Sequence, residues 1–129
     1  MMQTTEKYPR GVVRGDAVSS APKPSFIKDG RNLIQVVKAH IVYLTSDDHV
    51  CNLFLCNRHA PLVISRTFKD LLTALGDVLT YVRRGRAVNM HYVSSIADGH
   101  VHIQSECHNL NIACSKDALD GILASIEVV

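Results

Sequence analysis

The sequence predicts a mainly β fold: antiparallel sheets with two short helices. Three observations carry that expectation. Beyond Ser25, apolar and polar residues alternate with a period of two through most of the chain. Turn residues recur at short intervals between these runs, too close together for parallel crossovers. Only two stretches space their apolar residues as a helix does. The chain has 129 residues, 47% hydrophobic and 20% charged, which suits one globular domain able to bury its own core. A formal net charge of +2 excludes a grossly basic polyanion binder but leaves room for a local basic patch.

Taken in order, residues 1–24 hold no sustained period and contain Gly11, Gly15, Ser19, Ser20, Pro22 and Pro24. They read as a flexible basic arm, with a short strand at Gly11–Val13. The folded domain is expected over residues 25–129. FIKDGRNLIQV reads as two strands about an Asp29-Gly30 turn. AHIVYLTS is a β-branched, apolar run for a buried strand, and Ser46-Asp47-Asp48-His49 is a turn. VCNLFLCN alternates, with Cys51, Leu53 and Leu55 on one face and Val50, Asn52, Phe54 and Cys56 on the other. LVISR follows as a further strand.

TFKDLLTALGDVL is the first helix. Thr67 stands three residues before Asp70, close to a capping box, and Phe68, Leu71, Leu72, Leu75, Val78 and Leu79 share a face. RAVNMHYVSSI, HVHIQSE and NLNIAC are strand candidates, with Asp98-Gly99 as a turn between the first two. SKDALDGILASI is the second helix, capped by Ser115, with Ala118, Leu119, Ile122, Leu123 and Ile126 as its buried stripe.

The sequence offers little to catalysis. It has no Gly-x-Ser-x-Gly elbow, no phosphate loop and no dinucleotide fingerprint, so no enzyme and no cofactor are expected. It shows no apolar stretch fit for a signal peptide or a membrane span. Cys51, Cys56, Cys107 and Cys114 form no Cys-x-x-Cys pair and read as reduced thiols in a cytoplasmic protein. His100-x-His102 puts two imidazoles on one strand face, with Cys107-His108 close behind. The spacing matches no structural zinc pattern, so these are expected to be surface histidines, on the solvent face if Val101 and Ile103 point inward, and no metal site is assigned.

Charge is unevenly placed. Residues 1–38 hold seven Lys/Arg against three acids, and residues 39–129 hold seven against nine. Within the latter, Arg83, Arg84 and Arg86 form the one concentrated basic feature, between a helix end and a strand start. Guanidiniums on such a loop suit phosphates, or a forked contact to guanine. A solvated basic turn explains the same charges.

Together these features resemble the LytTR-type DNA-binding domain of bacterial response regulators. FIKDGRNLIQV followed by HIVYLTSDD is similar to that family's opening strands, and RTFKDLLTAL to its first helix. LTYVRRGRAVNMHYVSSI is similar to its most specific stretch, with Leu79 at an aromatic position, Arg84 at the central arginine, the Val88-Asn89 pair, and Val93 as the late hydrophobic. NIACSKDALDGI is similar to the closing strand-to-helix junction. Departures lie at Arg83 for histidine, Gly85 for serine, Arg86 for an aromatic, Thr45 for an acid and Val50 for an aromatic. The 24 residues ahead of the module are too few for a receiver domain.

The resemblance implies a sequence-specific bacterial transcription regulator that inserts loops into the major groove of double-stranded DNA, with a homodimer on repeated sites as an option and no membrane partner. It places His49, Arg84 and Lys116 at base-reading positions. Arg66, Lys69, Arg83 and Arg86 become phosphate-contact candidates. Asn89 is expected to support the arginine loop by satisfying its backbone groups. Two other readings stand beside this one: a LytTR-like module that contacts protein, and a thiol or metal sensor using Cys107, Cys114 and the nearby histidines.

Overall fold

In a computed structural model of the protein, residues 23–129 are described. The Gly11–Val13 strand, and all but the last two residues of the proposed arm, lie outside them. The first strand begins at Ser25.

Ten strands and two helices follow. Strands β1 (Ser25–Asp29) and β2 (Asn32–Val36) form a hairpin of their own. Strands β3 (Ile41–Asp47), β4 (Val50–Leu55) and β5 (Leu62–Ile64) lead into helix α1 (Phe68–Ala74), then β6 (Thr80–Arg83) and β7 (Arg86–Val88). Strands β8 (Val93–Ala97), β9 (His100–Gln104) and β10 (Asn109–Ala113) precede helix α2 (Lys116–Ser125). The central sheet has the order β5-β4-β3-β7-β6, and a second sheet the order β10-β9-β8. Every pairing is antiparallel, as the short turns dictate.

The central sheet is covered on both faces. On one, Ile41, Leu44, Cys51, Leu53 and Ile64 pack with Ile27 and Val36 of the hairpin and Leu71 and Leu75 of the α1 region. On the other, Val42, Tyr43, Val82 and Val88 pack with Val101, Ile103 and Ile112 of the second sheet and Ile122 of α2. Strand β3 therefore sits between two cores, which is why four consecutive residues, Ile41 to Leu44, are buried. A register shift between Ile41 and Tyr43 breaks its alternation there. Strand β4 keeps the simple pattern, with Cys51, Leu53 and Leu55 buried. A fully buried Leu or Ile of this kind contributes about 1.5–3 kcal/mol.

Three elements differ from expectation. In α2 Ile122 is buried but Leu123 is exposed, so the buried stripe is narrower than its apolar residues suggest. Helix α1 ends at Ala74, short of the expected Leu79, and residues 75–78 continue as turn. Leu75 and Leu79 are nonetheless buried: the Leu79 N–H donates to the Leu75 carbonyl, so the stripe persists in the turn after the helix. The run RAVNMHYVSSI is two strands. Asn89 splits it by capping a single 3-10 turn, Met90–Tyr92, where its side-chain oxygen accepts from the His91 N–H.

Candidate nucleic-acid interface

Antiparallel pairing decides where the polar turns go. Strand β3 runs into the two-residue turn Asp48-His49, whose Asp48 takes φ 54°. Strand β7 leaves the Arg84-Gly85 turn and pairs antiparallel to β3, Arg86 facing Thr45. The Ser46 N–H donates to the Gly85 carbonyl at 3.0 Å. The arginine turn is thereby fixed three residues before His49, at the same end of the sheet.

Gly85 is the residue this closeness requires. It is buried, has φ 72°, and a Cβ there would lie 2.5 Å from Ser46 Oγ. The arginine-rich turn thus owes its seat to the position without a side chain. Arg83 and Arg84 are exposed and Arg86 is half-buried, with an Nη1 bond of 2.8 Å to the Gly85 carbonyl.

The start of α2 joins them. The Ser115 N–H donates to the Val82 carbonyl at 2.8 Å, two residues before Arg84, a span of roughly 7 Å of extended chain. Ser115 also caps the helix, its hydroxyl accepting from the Ala118 N–H. Lys116 is exposed in the first turn beside it. Two backbone hydrogen bonds, one from β3 and one from the N-cap of α2, therefore bring the turns that carry His49 and Arg84 and the helix start that carries Lys116 to one end of the central sheet.

Arg66 and Lys69 reach the same end by a third route. Strand β5 pairs Ile64 with Cys51, just after His49, and the Cys51 thiol donates to the Arg66 carbonyl at 3.2 Å. Burial raises the pKa of that thiol, which keeps it in the donating form. Lys69 is exposed, one position short of Asp70 in the first turn of α1. Arg66 is already engaged: Nε donates to Asp70 at 2.8 Å and Nη1 to the Lys28 carbonyl at 3.1 Å. The hydrogen bond from Arg66 holds the Asp70 carboxyl below its ordinary range. Arg66 thus ties β1 to α1, and a phosphate would meet only its remaining donors.

The sequence reading missed one cation here. The Asp29 carboxylate accepts from the Ser65 N–H, bringing the β1–β2 turn and the exposed Arg31 to this end. A charged residue next to Asp29-Gly30, a recognised turn pair, was the available signal. Among the described residues, Arg31, Lys69, Arg83, Arg84, Arg86 and Lys116 form no ion pair; Lys38 and Arg66 do.

Arg83 and Arg86 also flank a groove of about 320 Å³ between the central sheet and β10, with Tyr43 and Thr45 on its wall. Burial raises the Tyr43 pKa and the nearby Arg86 cation pulls it down, so that charge faces the groove.

Asn89 needs correction. It is buried, 3% exposed, and its Nδ2 donates to the Ile41 carbonyl at 2.8 Å. Its support falls on the far end of β7, where β3 begins, and not on the arginine turn. The Val88-Asn89 pair sits where the chain leaves the sheet, so the side chain meets the backbone of β3 and of the next turn.

No family model matches the chain, and no curated protein matches it by sequence. A solved structure does: the LytTr DNA-binding domain of a Bacillus cereus protein described as a methyl-accepting/DNA response regulator. The superposition covers 82% of this chain and 100% of that one, with a TM-score of 0.53 and 13% sequence identity. The chain therefore has a LytTR-like fold. No helix among the described residues is long and apolar enough to cross a membrane.

Proposed function

We propose that this protein binds double-stranded DNA through the turns at one end of its central sheet and acts as a bacterial transcription regulator. The observation that carries the reading is the gathering of the Asp48-His49 turn, the Arg84-Gly85 turn and the start of α2 by the Ser46–Gly85 and Ser115–Val82 hydrogen bonds. The fold shared with a LytTr DNA-binding domain supports it.

In this reading Arg84, at the exposed tip, forks onto a guanine edge in the major groove. His49 and Lys116 read bases on either side, the ammonium of Lys116 standing with the free N–H groups that begin α2. Arg83, Arg86 and Lys69 contact phosphates, joined by Arg31 and, with its uncommitted donors, Arg66. Asp47 and Asp48 beside His49 oppose a phosphate there, which directs the backbone contacts toward the arginine and α1 sides.

A fluorescence-anisotropy titration with a duplex selected from random sequences tests this. Four to six neutralised phosphates give a slope of log affinity against log salt of about −4 to −5. Arg84→Ala is expected to cost about 1–3 kcal/mol of discrimination between sequences, whereas Arg83→Ala weakens all duplexes alike and flattens the slope by about one. Absence of duplex binding at low salt would refute the reading.

A further inference from the structure

The second sheet carries a feature that DNA contact leaves unused. Strand β9 alternates cleanly: Val101 and Ile103 are fully buried, and His100 and His102 share the opposite face. That face is one wall of an open groove of about 440 Å³, shared with Ser95, Asp98 and Asn111. No lysine or arginine lines it.

Both imidazoles are held by the same ring atom. His100 Nδ1 lies 2.9 Å from the Asp98 carbonyl oxygen, and His102 Nδ1 lies 2.7 Å from Asn111 Oδ1. A carbonyl oxygen can only accept, so each Nδ1 carries the hydrogen. In the neutral ring the lone pair is then on Nε2. This is the tautomer and the backing that a metal-bound histidine has, its other nitrogen donating to a carbonyl that fixes the ring. His108 shows the contrary arrangement. Its Nε2 lies 2.9 Å and 3.0 Å from the carbonyls of Leu55 and Arg58, and its ring meets Tyr43 and Phe54 edge-on. That nitrogen is a donor, and the ring belongs to the packing.

We infer that the outer face of the three-stranded sheet binds a divalent transition-metal ion of borderline softness through Nε2 of His100 and His102. Among the described residues no third His, Cys, Asp or Glu joins the pair. The ion keeps its other positions for water or for a donor from another molecule. Two imidazoles select Cu²⁺, Ni²⁺ or Zn²⁺ over Mg²⁺ and Ca²⁺, which need oxygen cages. Cys114 takes no part: it packs against the core, and burial raises its pKa, opposing the thiolate a metal needs.

Calorimetric titration of the full chain with Ni²⁺, cysteines kept reduced, tests the site. His100→Ala and His102→Ala are each expected to lower affinity about tenfold or more. Asn111→Ala, which touches the backing and not the ion, lowers it about tenfold. His59→Ala, at an exposed position outside the groove, leaves it unchanged. Each variant is compared by melting temperature, and His102→Gln serves as a second substitution should His102→Ala unfold. Wild-type affinity in both histidine variants, an equal loss in His59→Ala, or heat from Mg²⁺ equal to that from Ni²⁺ would overturn the inference. The outcome is independent of duplex binding.

Discussion

The two ends of the central sheet use their polar groups in opposite ways. At the end where β3 begins, polar side chains are consumed by the fold. Asn89 satisfies Ile41 and His91, the Tyr92 hydroxyl donates to the Ala39 carbonyl at 2.6 Å, His108 meets Leu55 and Arg58, and Lys38 pairs with Asp77. Burial, with the neighbouring Cys56 adding to it, pushes the Tyr92 hydroxyl up to about 12, so it stays a donor throughout the working pH range. At the turn end, backbone groups do the joining: Ser46 to Gly85 and Ser115 to Val82. Arg83, Arg84 and Lys116 remain exposed, with no ion pair among the described residues. The difference shows how a nearly neutral protein can present a concentrated cationic edge. Arg83, Arg84 and Lys116 are held in place by the main chain, and no ion pair is spent in the holding.

Asn89→Ala attacks the closed end and should have the largest effect on stability. It leaves a buried carbonyl and a partly buried N–H without partners, at about 1–3 kcal/mol each where water cannot reach them. A loss of about 2–4 kcal/mol in urea denaturation is expected, with duplex affinity nearly unchanged once measured well below the melting temperature. Lost sequence preference in a still-folded Asn89→Ala protein would show that the two ends are coupled. Gly85→Ala attacks the turn end and is expected to cost about 1–3 kcal/mol through its positive φ and the approach to Ser46 Oγ. Because the clash is with a side-chain tip, Ser46→Gly should restore part of the stability, the share due to crowding. Full restoration would mean that φ contributes nothing.

The difference between the ends also explains what was legible beforehand. The strands, the hairpin turns and the two caps were readable because each is set by residues within a few positions: Cys51, Leu53 and Leu55 by alternation, Gly30 and Gly99 by turn chemistry, Thr67 and Ser115 by their spacing to the next turn's N–H. The candidate site was legible as a set of residues through resemblance, but its assembly was not. Ser46 lies 39 residues from Gly85, and Ser115 lies 33 from Val82; nothing local in the sequence announces either bond. In sequence Asn89 stands beside the arginines, the nearest conspicuous feature, yet its partner Ile41 is 48 residues away. The sequence overstates the length of α1 because Leu75 and Leu79 keep a helical spacing after the helix has ended.

Arg66 is the exception at the turn end, since its charge is partly cancelled by Asp70, and it yields the smallest and most specific effect. The carboxyl is held below its ordinary range, so the tie contributes stability above about pH 3.8, the unfolded value, and loses it as pH falls through the lower folded value. Asp77, held down by Lys38, behaves the same way at the other end. Asp70→Asn should therefore reduce the acid-side fall in melting temperature while lowering it little at neutral pH, because the pair is solvent-screened. The same change removes a negative charge beside the Arg66 guanidinium, whose Nη1 keeps its bond to the Lys28 carbonyl. If the turn end binds duplex as proposed, Asp70→Asn strengthens binding to every sequence alike and steepens the salt slope by up to about one. Asp77→Asn, far from the turns, should alter the acid limb and leave duplex binding alone. An equal gain in binding from both substitutions would mean that net charge, and not the placement of cations at one end, governs the interaction.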